Sequence, residues 1–384
     1  MTNNKTDIVV IGGYGSVGGE ICRLLAERLP GRVYAAGRNL EAAERFAAAT
    51  GGAVGAMRWT IGPDAPRRDL SRIALIVMCL DQAEPDLLRQ CLEEGTHYLD
   101  ITAQTDFLLW AAATGSTQPV RSAALLSVGL APGLTNLLAA KAARALDETE
   151  RIEISLMLGL GEHHGRAAIE WTLRQMGAEF ELADSGAPRT VRSMTGGRTA
   201  DFGGDTGRKR VYRFPFSDQR TLPGTLGVRS VSTRLGFDVN GVARTAAGLR
   251  RAGFFRLLRR PSAQSAAVRL AGALHAGSER FAARVEAYGR LGGQAAEASC
   301  TIRGIRQSEI TARVAAYAAE KMLARPDLRG VLHIEQWLDA DEVWSAVRTE
   351  ASSALEFERC GRADSADQSV QPPAFSTQNQ RENH

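Results

Sequence analysis

The run Gly12-Gly-Tyr-Gly-Ser-Val-Gly-Gly19 constrains this chain more than any other feature. It follows directly on Asp7-Ile-Val-Val-Ile11, a short β-branched segment. After it comes a helical pattern in which Ile21, Leu24, Leu25 and Leu29 share one face, until Pro30-Gly31 stops it. A second strand, Arg32–Ala36, ends in Gly37-Arg38-Asn39, and Leu40–Ala49 reads as the next helix. Within the turn, Gly13, Gly15 and Gly18 satisfy G-x-G-x-x-G, with Tyr14, Ser16 and Val17 between them. Placed between a strand and a helix, that spacing has a physical purpose. Gly13 permits the tight turn, Gly15 lets a diphosphate reach the backbone, and Gly18 brings helix and strand together. The anion then rests on unpaired amides at the positive end of the helix dipole. A glycine turn without a ligand is the plainer alternative, and the flanking strands argue against it.

Cofactor choice is read at the end of the second strand, where NAD-binding chains usually carry an acid for the ribose 2′-hydroxyl. Arg38 and Asn39 stand there instead. A guanidinium suits the 2′-phosphate of NADP through forked hydrogen bonds, so NADP is expected, with NAD the alternative. The bland reading of Arg38 is an exposed arginine at a helix start. The alternation then continues. Ile73–Leu80 is a continuous apolar run, as in a strand covered on both faces, and Glu84–Glu94 is a helix with Pro85 in its first turn and Gly95 after its end. His97–Thr102 is a strand with its exit loop, and Ala123–Val128 is a further strand. Ligands of such sheets sit beyond the carboxyl ends of the strands, so Leu80, Asp81 and Asp100–Thr102 point to the cofactor edge. The expected fold class is α/β, with a Rossmann-type parallel sheet over residues 1–128. The expected cofactor contacts are Gly13, Tyr14, Gly15, Ser16, Val17, Gly18, Arg38, Asn39, Leu80 and Asp81.

The glycine turn, the strand end Tyr98-Leu99-Asp100 and the segment Gly129-Leu-Ala-Pro-Gly-Leu-Thr-Asn136 together resemble the saccharopine dehydrogenase-like NAD(P)-dependent oxidoreductases. Gly330-Val331 and Glu335-Gln336 extend the resemblance to where that family's chain returns to its nucleotide domain. The resemblance spans most of residues 7–350. It implies reduction of an imine formed between an amine and a carbonyl, or the reverse oxidation, and it implies a homodimer. An iminium accepts hydride better than a neutral imine, so a nearby acid is wanted to keep the nitrogen protonated. Asp100 is the carboxyl expected in that catalytic role; capping a turn is its structural alternative. Thr102, Thr135, Asn136 and Trp171 are expected at the substrate, although Trp171 also reads as core.

From Arg151 the texture changes to strands in series: Ile152–Leu158, Thr190–Phe202, Arg208–Phe216, Gly227–Asp238, Arg280–Arg290 and residues 294–306. Helices are expected over Arg166–Glu181 and Ile310–Leu323. A second α+β domain over residues 129–328, inserted before a return segment at 329–350, follows from this order. The polar stretch 361–384 is expected to be a disordered tail. His163-His164 lacks a third ligand at helical spacing, so no metal is expected, and a polar loop near substrate is the reading. Arg244–Arg260 interleaves six arginines with leucines and phenylalanines. It reads as a basic amphipathic helix packed on the second domain, or as a helix in peripheral contact with an anionic membrane.

Composition narrows the partners. A net charge of +4 on 384 residues gives no reason to expect nucleic-acid binding, and 44% hydrophobic with 23% charged residues suits a globular chain. Five scattered cysteines and a polar opening segment lead to an expectation of reduced thiols and a cytoplasmic location. The uncharged stretch Ser122–Ala140 is interrupted by Gly129, Pro132, Gly133 and Asn136, so a strand, turn and helix start are expected rather than a membrane span. A small molecule is the expected partner. Two other functions stay open: enoyl reduction of a lipid-like or carrier-bound substrate, which suits the 244–260 segment, and non-catalytic NADP sensing.

Overall fold

Strand β1 (Asp7–Ile11) is buried from Ile8 onward because it runs through the middle of a parallel sheet. The computed structural model describes residues 5–62, 65–115, 120–162, 166–184, 187–239, 241–273, 277–348 and 356–363. Helix α1 (Ser16–Arg28) follows the glycine turn and buries Ile21, Cys22, Leu24 and Leu25 on one face. Next come β2 (Val33–Gly37), α2 (Leu40–Ala49) capped by the Asn39 side chain, and a short edge strand β3 (Gly55–Arg58). Strand β4 (Ile73–Met78) is apolar along its length since both faces are covered. Helix α3 (Asp86–Glu94) stops at Gly95, whose φ of 73° is a left-handed cap. Strand β5 (His97–Asp100), helix α4 (Thr105–Thr114) and β6 (Ala123–Leu126) complete the series.

These strands pair in the order β3-β2-β1-β4-β5-β6, all parallel. The order reverses at β1, which lies between β2 and β4, and a crevice for ligand opens at such a reversal. This is the Rossmann-type sheet that the alternating pattern predicted.

Beyond β6 the chain passes through the tight segment Leu130–Leu134 into α5 (Thr135–Arg144) and builds a second domain. Its elements are β7 (Glu148–Leu158), α6 (Arg166–Met176), β8 (Glu179–Asp184), β9 (Ala187–Arg192), β10 (Arg198–Asp201), β11 (Arg208–Arg213), α7 (Asp218–Leu226) and β12 (Ser230–Phe237). They continue with α8 (Val242–Arg251), α9 (Pro261–Ala273), β13 (Arg280–Leu291), β14 (Gln294–Ile305) and α10 (Gln307–Leu323). The chain then returns: β15 (Gly330–His333) adds a parallel strand beside β6, followed by α11 (Ile334–Trp337), α12 (Ala340–Arg348) and β16 (Glu356–Ala363). The second sheet has the order β10-β11-β12-β7-β13-β14-β16, and β8 and β9 form a separate hairpin. Gly292 and Gly293, with φ of 58° and 79°, make the two-residue turn between β13 and β14, a conformation that favours glycine.

One face of the second sheet is apolar, and the other is mixed, with Met157, Val211 and Ala282 buried among charged residues. Ile152, Ile154, Leu156, Val231, Leu235, Val285 and Ile302 join the apolar cluster beneath it, which is continuous with the helices of the first domain. The intervening residues carry ions: Arg198 meets Glu286 at 2.7 Å and Glu153 at 3.6 Å, Arg284 meets Glu286 at 2.9 Å, and Arg234 pairs with Glu153.

Several local expectations are corrected. The helix expected over Arg166–Glu181 ends at Met176, because Gly177 follows and Glu179 already belongs to β8. The single strand expected over Thr190–Phe202 is two, β9 and β10, separated by a turn with Gly196 at φ 57°. The helix expected over Arg244–Arg260 breaks after α8, where Gly253 takes φ 77° and a 3-10 turn at Phe254–Arg259 begins. Strand β16 takes in the first three residues of the stretch expected as a tail. Cys22, Cys79 and Cys91 are free, but Cys300 is disulfide-bonded, against the expectation of reduced thiols throughout. His163 and His164 lie outside the described residues, as do 364–384. No helix among the described residues is long and apolar enough to cross a membrane.

The return segment is tied to α5 and α7 by buried polar bonds. Glu335 Oε2 accepts from Asn136 Nδ2 at 3.1 Å, and its Oε1 accepts from the Thr225 hydroxyl at 2.7 Å. Nearby on α7, Asp218 is wholly buried; it accepts from the Thr233 hydroxyl at 2.7 Å, while its Oδ2 has no partner. Burial, aided by the charge of Glu335, pushes the Asp218 carboxyl up to about 7, against the hydrogen bonds from Thr233 and the Gln219 amide. The folded protein therefore holds this proton more tightly than the unfolded chain does. Its contribution to stability is complete below the unfolded value and is lost as pH rises through about 7. Denaturant midpoints measured from about pH 5 to about pH 8 should fall in the wild type, and Asp218→Asn should flatten that fall.

Candidate functional site

The glycine turn is built by contacts at sub-van-der-Waals reach of any side chain. Gly12 supplies the left-handed residue of the turn, with φ 84°. A Cβ at Gly13 would lie 2.6 Å from the Val10 carbonyl oxygen and 2.8 Å from the Ala35 α carbon. One at Gly18 would lie 2.3 Å from the Gly12 oxygen. Gly15 differs: it is exposed, has ordinary extended dihedrals, and its Cβ would meet only the Gly12 oxygen at 3.1 Å. The fold thus needs Gly12, Gly13 and Gly18, whereas Gly15 is kept bare on the solvent side. The space above it is open, at the start of a helix with no acidic residue in its first turn, as an anion would require.

The other expected cofactor residues gather around this turn. The Tyr14 ring lies over Gly37, where a Cβ would come within 2.5 Å of its hydroxyl, and that hydroxyl accepts from the Asn39 amide at 3.3 Å. Arg38 is exposed beside it, and no hydrogen bond or ion pair engages its guanidinium among the described residues. The Asn39 side-chain oxygen accepts from the Ala42 amide at 3.1 Å, capping α2. Leu80 stands 41% exposed on the other side of the crevice, and its side chain borders Gly12. Asp81 is exposed and accepts from the Thr102 hydroxyl at 2.9 Å. Ser16 and Val17 form the first turn of α1.

Asp100 sits below this surface. It is wholly buried, and accepts from the Tyr98 hydroxyl at 2.6 Å, Gln82 Nε2 at 3.1 Å and the Thr102 amide at 2.7 Å. Burial pushes its carboxyl up to about 7 despite these donors. In this position it fixes Gln82 and Thr102 rather than facing a substrate. Thr102 in turn accepts from the Gln104 amide at 3.2 Å and shapes the loop into α4.

Thr135 and Asn136 are also wholly buried. Asn136 spends its oxygen on the Gly133 amide at 3.2 Å and its nitrogen on Glu335, so it pins the domain junction. Trp171 is half-buried against Phe214 and Phe216, with ring centroids 5.6 and 6.0 Å away, and its indole N–H has no partner. Trp171 lines a cavity of about 480 Å³ together with Gln104, Asp106, Arg174, Phe216 and Arg220. The cavity opens directly beyond β5, on the loop that Asp100 and Thr102 position. Arg220 pairs with Glu181 at 2.9 Å and Arg174 with Glu170 at 3.4 Å, both on the second domain.

Sequence reasoning missed Gln104, Arg174 and Arg220, which meet only through packing of α4, α6 and α7. It also missed Ser127, in the left-handed region at φ 57°, bonded to His333 Nδ1 at 2.8 Å. A buried serine with positive φ between two strand ends carries no sequence signal. Among the described residues no group of three or more potential ligands could hold a metal.

Residues 8–128 match the family described as the saccharopine dehydrogenase NADP binding domain. The nucleotide domain belongs to that family. The chain is accordingly an NAD(P)-dependent oxidoreductase with NADP as its cofactor, and its nucleotide domain is of the saccharopine dehydrogenase type. Among solved structures it is similar to apo saccharopine dehydrogenase (L-Glu forming) from Saccharomyces cerevisiae, at 12% identity and a TM-score of 0.64. That match covers 94% of this chain and 100% of that one, and shows a common fold across both domains. A DAP dehydrogenase from C. glutamicum in complex with DAP is 13% identical over 90% of this chain and 99% of that one, with a TM-score of 0.40. Comparison with curated protein sequences finds no match.

In this site the open face of Gly15 at the start of α1 and the unengaged guanidinium of Arg38 fit the diphosphate and 2′-phosphate of NADP. When bound, the reduced cofactor NADPH would supply a hydride and the oxidised cofactor NADP+ would accept one. Two outcomes follow. Gly15→Val should fold with nearly wild-type stability but lose NADPH binding in a calorimetric titration, whereas Gly18→Ala should be destabilised by about 2–3 kcal/mol in denaturant. Arg38→Asp should weaken NADPH about 10–100-fold and leave NADH nearly unchanged, since bonds to a charged phosphate are worth about 1.5–3 kcal/mol.

Proposed function

We propose that this oxidoreductase reduces the C=N bond of an imine formed between an amine and a carboxylate-bearing carbonyl compound, or oxidises the corresponding secondary amine. The observation that carries the reading is the cavity beyond β5, where Arg174 and Arg220 stand beside the aromatic wall of Trp171 and Phe216. Guanidinium groups recognise carboxylates in a fork geometry, and an aromatic wall excludes water from the rest of the ligand. In the reducing direction the imine carbon gains a hydride, and the protonated nitrogen becomes the amine. The indole N–H of Trp171 and the side chains of Gln104 and Asp106 are the polar groups available to orient the nitrogen.

Enoyl reduction of a lipid-like substrate would call for an apolar tunnel beneath 244–260. The cavity there is lined by Glu179, Arg192, Arg250 and Arg251, which speaks for the imine reading. In this proposal the protein works on a small molecule as a cytoplasmic homodimer, the dimer resting on the resemblance alone.

The test is NADPH oxidation against a panel of amines paired with 2-oxo acids, beside enoyl thioesters. Turnover is expected only with the amine and oxo-acid pairs, and Arg220→Gln is expected to raise KM roughly tenfold with little change in kcat. Turnover of enoyl thioesters alone would overturn the proposal.

A further inference from the structure

A second cavity, of about 470 Å³, lies between the end of α6, the end of β9 and the carboxyl end of α8. Arg192, Arg250 and Arg251 line it, with Thr195, Phe255 and one carboxylate, Glu179. The charges do not balance. Arg192 Nε reaches Glu179 Oε1 at 3.0 Å, and Arg250 reaches the same oxygen at 4.0 Å, so one carboxylate oxygen serves two guanidinium groups. Arg251 has no acidic partner among the described residues.

Arg250 is the informative member. Its side chain is only 13% exposed, and its Nε is buried with no hydrogen-bond partner. A guanidinium removed from water with an unfilled donor is costly unless an acceptor is supplied, and acceptors of matching charge and fork geometry are oxyanions. Phe255, 8% exposed, gives the cavity one dry wall. A Cβ at Gly177 would lie 3.0 Å from the Phe255 Cβ, so the turn after α8 is pressed directly on the end of α6. Arg250 therefore projects from braced backbone rather than from a loose loop, with its guanidinium largely withdrawn from water.

We propose that this cavity is an oxyanion site that takes a phosphate or carboxylate group, held by Arg192, Arg250 and Arg251, with Glu179 as the internal anion that an incoming ligand displaces. It is separate from Arg38 and the glycine turn. The same group chemistry is offered by a free phosphorylated molecule and by a lipid headgroup, and the two sources separate experimentally.

Inorganic phosphate is titrated calorimetrically, at constant ionic strength in chloride, into protein saturated with NADP so that the cofactor's own phosphate contacts are filled. Saturable binding to one site is expected. Arg250→Gln should weaken it roughly tenfold or more, and Glu179→Gln should tighten it several-fold by removing the internal competitor. Retained NADPH binding verifies that each variant is folded, and Arg192→Gln serves if Arg250→Gln is not. In a parallel arm, phosphatidylcholine vesicles containing phosphatidic acid are sedimented with the protein. Phosphate binding without vesicle binding supports the site with a soluble ligand; vesicle binding that phosphate displaces and Arg250→Gln abolishes supports it with a lipid headgroup. Phosphate binding in neither wild type nor Glu179→Gln, or binding undiminished by the arginine substitutions, overturns it.

Discussion

The start of α1 presses on the end of β1 so closely that a methyl group on Gly18 would overlap the carbonyl oxygen of Gly12. Everything downstream uses this contact. It sets the helix start over the crevice where the strand order reverses, with its unpaired amides facing outward. It also leaves Gly15 as the one glycine of the motif that the protein's own packing leaves open. A side chain there would cost the fold little and the ligand a great deal. The same construction brings Tyr14 over Gly37 and leaves Arg38 exposed beside it.

The second domain is held to this crevice by polar bonds in the interior. Asn136, Glu335 and Thr225 join three segments that are remote in sequence, and Asp218 lies close enough for its titration to be affected by Glu335. Such bonds are specific because each buried donor has few alternatives. They fix where α6 and α7 carry Trp171, Arg174 and Arg220 relative to the loop after β5. The cleft is thus an outcome of domain docking, with one wall provided by the loop Ala103–Asp106 after β5.

The nucleotide half could be read from the chain because its signals are local. Strand, glycine turn, helix and second strand each announce themselves within a few residues, and Ile73–Met78 is apolar throughout because both sides of the sheet are covered. The second half was legible as strands but not as a site. Helix α7 was overlooked because Pro223 and Gly224 interrupt its pattern, and with it went Arg220 and Asp218. Thr135 and Asn136 stand at a helix start, a position that suggests ligand contact, yet both are buried and Asn136 donates its amide to Glu335 of the return segment. Asp100 was found by its place at a strand end, but only the fold shows that its carboxyl points beneath the edge. Sequence distance hides all such pairings, since nothing local marks a residue whose partner lies in another domain.

The chemistry assigned to the cleft presupposes that the amino-terminal half grips NADP. Direct calorimetric titration of the purified full chain with NADPH and, separately, NADH tests this most simply. One NADPH per chain, bound more tightly than NADH, is the predicted result. Failure of both nucleotides to bind would contradict the account at its base.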